Sequence, residues 1–361
     1  MLRVPILRVF CGGWDTAPFA HPFPLPVCPS RVSIRYNPGV RFLLCSFFAA
    51  VAAVGTLQAS TLDDDRHAAI DRALTFLYKT AQDDANFSRF GADLLWCFYT
   101  INHTASDPQL SESAGRMGRE LAQRWRKSHR HVPANANAAG IYQLVAGAYS
   151  ADRLGFPDRR YKAELRKAAA KFNAQDYLGF DPAHGPPRLD DPHRYDQWYG
   201  ALIVTFFGDA YGIRLGAHYR NVLQWLPRLR PYEGYDEDME FDIFYAITHV
   251  IYTLDRYHER RVSSALLPDE MAFLRRKLQE AIEDENPEMV SEALDCLKAT
   301  GFENDPQVAE GLQFLVSTQR PDGSWAGGPD DPYTEYHSAW AGIDGLRDYR
   351  FHGQVKTLPV H

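Results

Sequence analysis

The sequence predicts an all-α protein made of helix pairs, and three observations lead there. From Ser60 to about residue 350 the apolar residues recur at helical spacing, and no period-two run of strand length interrupts them. Along that stretch an amphipathic helix alternates with a more apolar one. The more apolar members begin near 90, 135, 196, 242, 288 and 335, in steps of 45, 61, 46, 46 and 47 residues, and a near-constant step marks a repeat architecture.

The chain begins with a different kind of sequence. Residues 1–39 hold seven of the 23 prolines and no periodic apolar pattern, which fits a disordered leader or an over-extended gene model with translation starting near Val40. Arg41 is followed by an apolar run of 13 residues, Phe42 to Val54, and a small-residue exit at Leu57-Gln58-Ala59. A basic residue, a short apolar stretch and a small-residue exit make residues 40–59 a secretory signal peptide, a bilayer span needing about 20 apolar residues; an uncleaved anchor or a transit segment with a fortuitous apolar patch is the alternative. The expectation is a protein exported to the periplasm or medium, with no stable membrane span and one domain over 60–361. Only Cys97 and Cys296 remain in that domain, both within apolar helical patterns, so they read as buried hydrophobes and not as a disulfide or metal pair.

Within the domain, Ile70, Leu74 and Leu77 mark a first amphipathic helix, and the stretch from Phe90 to Tyr99 marks its apolar partner. The remaining pairs fall at 109–127 with 135–152, 160–173 with 196–212, 217–227 with 241–257, 268–282 with 288–299, and 306–318 with 335–347. The long step comes from an insertion, Asp181 to Pro192, whose Pro and Gly content makes it a loop. Leu74-Thr-Phe-Leu-Tyr-Lys-Thr aligns with Leu312-Gln-Phe-Leu-Val-Ser-Thr at four of seven positions, so the first and last repeats look homologous. An open solenoid needs polar terminal caps, yet the last pair carries Trp325, Tyr333, Tyr336 and Trp340. The expected architecture is therefore a closed (α/α)6 toroid over about 62–350, with apolar helices inside and amphipathic ones outside.

Composition narrows the function. The chain is 45% hydrophobic and 24% charged with a net charge of -7, enough to bury a large core and without the basic surplus that holds a phosphate backbone. Residues 1–60 hold five Arg and one acidic residue, Asp15, so the domain alone carries -11. Nucleic acid is excluded as an expected partner. The aromatic content of 13% suits a small-molecule or glycan ligand stacked in the toroid cavity.

The connection Gln319-Arg320-Pro321-Asp322-Gly323-Ser324-Trp325 resembles the Q-x-x-x-G-x-W repeat motif of the terpenoid (squalene–hopene and oxidosqualene) cyclase superfamily. Tyr336-His337-Ser338 is similar to the Tyr-His-Thr of protein prenyltransferase β subunits. The physical sense of the motif is structural: Gln binds free backbone groups at a helix terminus, Gly permits a positive φ, and Trp packs between adjacent helix pairs. The resemblance implies the α/α toroid and covers 306–347 firmly. The cyclase proton-donor motif Asp-x-Asp-Asp is met only by Asp236-Glu237-Asp238-Met239, which lacks its last carboxylate. The prenyltransferase zinc set has its histidine position at His337 but no preceding Asp-x-Cys; the preceding repeat offers Glu288 and Glu292. Fold transfers from such a resemblance, and activity has to be argued from the site.

In a closed toroid the first turns of the inner helices converge on one mouth, which gives a specific candidate lining: Asp93, Asn135, Asn137, Asp196, Tyr199, Asp242, Tyr245, His249, Glu288, Glu292, Glu335 and His337. Asp and Asn near helix starts also serve as caps, and Glu288 after Asn286-Pro287 is ordinary first-turn chemistry. Asp242 and His249 are seven residues apart, on one stripe with Tyr245 between them. Either they form a structural hydrogen bond or they supply a general base or metal ligand. With His337 they make a two-His-one-carboxylate set of the kind that holds a divalent metal. The expected catalytic residues are Asp242, His249, His337, Tyr245 and Asp196, with Asp242, His249 and His337 as metal ligands. The expected function is an exported, terpenoid-cyclase-like toroidal enzyme using Asp, His and Tyr chemistry, metal-assisted if a divalent metal is bound. A glycan-processing lyase or hydrolase, a non-catalytic ligand- or peptide-binding toroid, and an assembly or interaction protein using its outer helices are the alternatives. Arg194 and Arg347 either meet an anionic ligand or are ordinary surface partners in an acidic protein, and the second reading is favoured.

Overall fold

The computed structural model describes residues 61–191, 193–230, 232, 237–327 and 331–359, with backbone alone at 237 and 238. The leader and signal peptide expected over 1–59 lie outside the described residues, as does Asp236. The domain is all-α. Its helices are α1 (Leu62–Gln82), α2 (Asp84–Thr104), α3 (Pro108–Ser128), α4 (Ala138–Arg153), α5 (Arg159–Ala169), α6 (Ala174–Leu178), α7 (Arg194–Tyr211), α8 (Tyr219–Leu223), α9 (Leu226–Leu229), α10 (Glu237–Asp255), α11 (Pro268–Glu283), α12 (Pro287–Ala299), α13 (Pro306–Thr318) and α14 (Pro332–Leu346). Among the described residues the strands β1 (Arg261–Val262) and β2 (Gln354–Val355) form a short parallel ladder that fastens the C-terminal segment below α10. No helix among the described residues is long and apolar enough to cross a membrane.

Local chemistry sets most of the boundaries. Thr61 and Asp64 close a capping box on α1, whose first turn carries Asp63, Asp64 and Asp65 against the helix dipole. Asp83, Asp107, Asp158, Asn286, Asp305 and Asp331 each accept a first-turn backbone N–H through the side chain. Two expected helices are broken. The span 160–173 ends at Ala169 and restarts as α6, and 217–227 splits into α8 and α9 because the Pro227 ring would clash with the carbonyl four residues earlier, at Leu223.

Burial separates two helix types. On α3 and α5 only one stripe is buried, Leu110, Ala114, Leu121 and Trp125 in the first and Tyr161, Leu165 and Ala169 in the second. The six helices α2, α4, α7, α10, α12 and α14 are buried over most of their perimeter, as ten of sixteen residues in α4 and fourteen of eighteen in α7 attest. These six touch in succession: α2 with α4, α4 with α7, α7 with α10, α10 with α12, α12 with α14, and α14 with α2 again. The first pair also meets the last through α1 and α14.

The Gln319–Trp325 connection makes that meeting. Gln319 donates from Nε2 to the carbonyls of Ala69 (2.8 Å) and Gly323 (3.1 Å) and accepts from Arg72 Nη2 at 2.6 Å. The glutamine thus reaches a carbonyl inside α1, not a helix terminus. Gly323 has φ +100°, and a Cβ there would collide with the Arg72 carbonyl. Trp325 donates to the Leu315 carbonyl at 2.8 Å and lies against Gly342, so it fills the space within the last pair, between α13 and α14, and not between pairs.

Candidate functional site

Glu288 and Glu292 occupy the first and second turns of α12, and His337 the second turn of α14. An i,i+4 spacing puts both carboxylates on one face of α12, and α12 packs directly on α14. Ligating atoms of the three residues lie within 4.8 Å of one another. His337 Nδ1 donates to Glu288 Oε1 at 3.0 Å, and the Tyr245 hydroxyl donates to the same oxygen at 3.3 Å. Glu292 is 3% exposed, and its Oε2 has no hydrogen-bond partner. His337 keeps an open side, with 19% of its side chain exposed.

The electrostatics follow from burial and from an excess of carboxylates. Burial and the neighbouring Glu288 charge push Glu292 up to about 8, even though the His337 cation pulls the other way. Burial works against the His337 cation as well, but the Glu288 hydrogen bond and the surrounding carboxylates outweigh it and hold its pKa at about 9. Asp93, on α2, is raised by burial while it accepts from the Tyr336 hydroxyl at 3.2 Å. Glu292 therefore favours the protonated form, beside an imidazolium paired with Glu288.

The expected residues fall around this centre. Tyr245 belongs to it directly. His249 points Nδ1 at the Tyr245 carbonyl (2.7 Å), stacks on Tyr199 at 4.9 Å, and is lowered to about 4, first by burial and further by the His337 charge. It is a neutral imidazole. Tyr199 is raised by burial and by Asp196, its hydrogen-bond partner, with Asp242 adding to the field. Asp196 and Asp242 thus gather at Tyr199. The expected set Asp242, His249 and His337 is not among the metal-competent clusters of the described residues; His337 joins Glu288 and Glu292 instead. Asn135 and Asn137 are exposed, and Asn137 caps α4 through Gly140 N–H at 2.8 Å, so neither lines the site. Aromatic faces surround the centre: Tyr333 stacks on His337 at 5.3 Å, Trp340 stands edge-on to it at 6.1 Å, and Phe241 lies 4.8 Å from Tyr245.

A second buried cluster lies toward the other ends of the same helices. His258 Nδ1 is 3.3 Å from Asp295 and 3.4 Å from Asp255, and its Nε2 is 3.7 Å from Asp344. Arg347, read from sequence as a surface residue, is 2% exposed and binds Asp344 at 2.6 Å and Thr104 Oγ1 at 3.0 Å. Arg194 is likewise buried and donates to the Asp191 carbonyl. Lys298 donates to the carbonyls of Asp344 (3.0 Å) and Arg347 (2.5 Å), closing the end of α14. Three carboxylates meet three basic groups here, and the cluster reads as a lock between α10, α12 and α14. Sequence reasoning missed it because His258 sits outside any helix. The available signal was Asp295, which continues the Glu288–Glu292 stripe on an otherwise apolar helix.

Cys97 and Cys296 are free and buried, as expected of small hydrophobes. No protein-family model matches this chain, and no curated protein is significantly similar to it. The site is therefore read from its own chemistry.

Proposed function

We propose that the chain is an exported enzyme of the terpenoid-cyclase-like α/α-toroid class, working by proton transfer in the space enclosed by its six apolar helices. The return of the helix succession to α2 and the contacts of the Gln319–Trp325 motif support the toroid. One observation carries the chemistry: Glu292 is a buried carboxyl with an unpartnered oxygen, set one turn from a His337–Glu288 ion pair. A buried carboxylic acid kept neutral is a Brønsted acid in waiting. It gives its proton to a neutral substrate and is left as a carboxylate beside the His337 cation, which stabilises it. Tyr333, Tyr245 and Trp340 offer π-faces to positive charge developing on an apolar, unsaturated substrate.

A second reading is favoured by the clustering of Glu288, Glu292 and His337. Two carboxylates and an imidazole suit a divalent cation, and the excess negative charge and unpartnered Glu292 oxygen fit one. Such an ion would polarise a substrate oxygen as a Lewis acid.

The test is incubation in D2O with linear isoprenoids and, separately, with neutral and uronate oligosaccharides. The proposal expects a cyclised isoprenoid carrying one solvent deuteron, and none from Glu292→Gln. Oligosaccharide cleavage instead would move the chemistry to a glycan-processing enzyme, and Glu292→Gln turning over at the wild-type rate would remove Glu292 as the donor. Stoichiometric metal in the purified protein, lost in His337→Ala, would establish the second reading. Amino-terminal sequencing of exported protein tests the leader, with a start at or close to Ser60 expected.

A further inference from the structure

A cavity of about 520 Å³ opens at the C-terminal ends of α7 and α10, closed on one side by residues 354–359. It is distinct from the Glu292 centre, which uses the first turns of α12 and α14, and its ligand chemistry is independent of the reaction proposed there. Its volume is in the range of small-molecule sites. Phe206 and Tyr219, edge-to-face at 6.3 Å, give it an aromatic wall. Thr253 joins that wall, with its Oγ1 2.9 Å from the Tyr219 hydroxyl.

The charges on its rim do not cancel. Asp209 is the acidic side chain of the lining, and it is already engaged, accepting from His218 Nδ1 and from Tyr219 N–H, both at 2.9 Å. Arg256, Arg260 and Lys356 also line the cavity. Arg256 Nε lies 3.2 Å from Glu259, whereas the Arg260 guanidinium and the Lys356 ammonium have no hydrogen-bond or ion-pair partner among the described residues. In a chain of net charge -7, two unpaired cations on one concave, aromatic-walled surface are a specific feature.

The backbone is strained at the same place. Arg256, Tyr257 and His258 have φ of +59°, +54° and +71°, an unfavourable conformation for three successive non-glycine residues. This turn sends Tyr257 inward against Trp96 at 4.9 Å and His258 into the buried lock, while Arg256 is left on the cavity wall. The ladder of β1 with β2 and the Ser263 N–H to Val355 carbonyl bond (3.1 Å) hold the segment that carries Lys356 against the opening.

We infer that this cavity is a second ligand site, one that takes a small amphipathic organic anion, its carboxylate, sulfonate or phosphate head between Arg260 and Lys356 and its apolar body against Phe206 and Tyr219.

Two fluorescent probes test it on the purified protein, the anion 8-anilinonaphthalene-1-sulfonate and its neutral relative N-phenyl-1-naphthylamine. Both should bind the native protein. The double variant Arg260→Glu/Lys356→Glu changes exposed side chains, and should weaken the sulfonate about tenfold or more, as loss of charge-assisted hydrogen bonds implies, while shifting the neutral probe less than twofold. Ala210→Trp, which fills the cavity from α7, should weaken both; the charge variant decides alone if Ala210→Trp does not fold. Glu292→Gln should leave both unchanged. Absence of sulfonate binding to the native protein, equal sulfonate affinity in the charge-reversed protein, or loss of binding in Glu292→Gln would each overturn the inference.

Discussion

Glu292 and His258 are both buried among carboxylates, yet they call for opposite behaviour on mutation. Glu292 leaves one oxygen unpartnered, so its burial opposes folding, and Glu292→Gln should keep or raise the melting temperature while abolishing deuteron transfer. A melting-temperature fall of more than a few degrees would show that the carboxylate is structural. His258 is the basic group between Asp255, Asp295 and Asp344. His258→Ala leaves those charges buried without it and should cost about 3–5 kcal/mol in urea unfolding. A loss below about 1 kcal/mol would mean that Arg347 and Lys298 suffice without it. His337→Ala sits between the two: it strands the Glu288 carboxylate, but 19% of the His337 side chain meets solvent, which softens the penalty.

Among the elements, the Gln319–Trp325 connection carries the join between the last helix pair and the first. Two glycines with the same φ of +100° separate backbone strain from close approach: Gly155 has open space around its missing Cβ, whereas Gly323 faces the Arg72 carbonyl in α1. Gly155→Ala should cost about 1 kcal/mol, the price of a left-handed alanine, while Gly323→Ala should cost at least about 2 kcal/mol more because α1 must also move away. Equal losses in chemical denaturation would mean that α1 does not rest on this turn. The helix pairs themselves were legible in sequence, because one-sided and all-round burial leave different apolar patterns, as α3 against α7 shows. The break between α8 and α9 was legible only in Pro227, and the left-handed turn at Arg256–His258 had no sequence signal at all, since it contains no glycine or asparagine.

At the scale of the whole domain, the site became visible once helices far apart in sequence were brought together. Glu288 reads as a first-turn residue until α14 sets His337 3.0 Å from it, and Asp242 and His249 look like partners on one stripe until Tyr199 separates their roles. Assembly also sets the pH response. His258 and His337 have folded pKa values of about 10 and about 9, above the unfolded value of about 6.5, so the stability they add is full below pH 6.5 and is lost as pH rises through those values. Lys298, lowered to about 7 by burial, penalises folding at low pH and relaxes as pH rises, offsetting His258 between about pH 7 and 10. His337 is left uncompensated, and Glu292 pulls in its direction, so urea unfolding at pH 9 should give a stability lower than at pH 6.5 by about 1–3 kcal/mol. A flat or rising profile would mean that the Glu288–His337 pair does not form. The central claim is that Glu292 holds a proton at neutral pH beside that pair. Carbon-13 NMR of the glutamate side-chain carboxyls, with Glu292→Gln to assign the signal, measures this directly. Titration of Glu292 near pH 8, with the protonated shift dominating at pH 7, is the predicted result; a carboxylate titrating near 4.5 would contradict it.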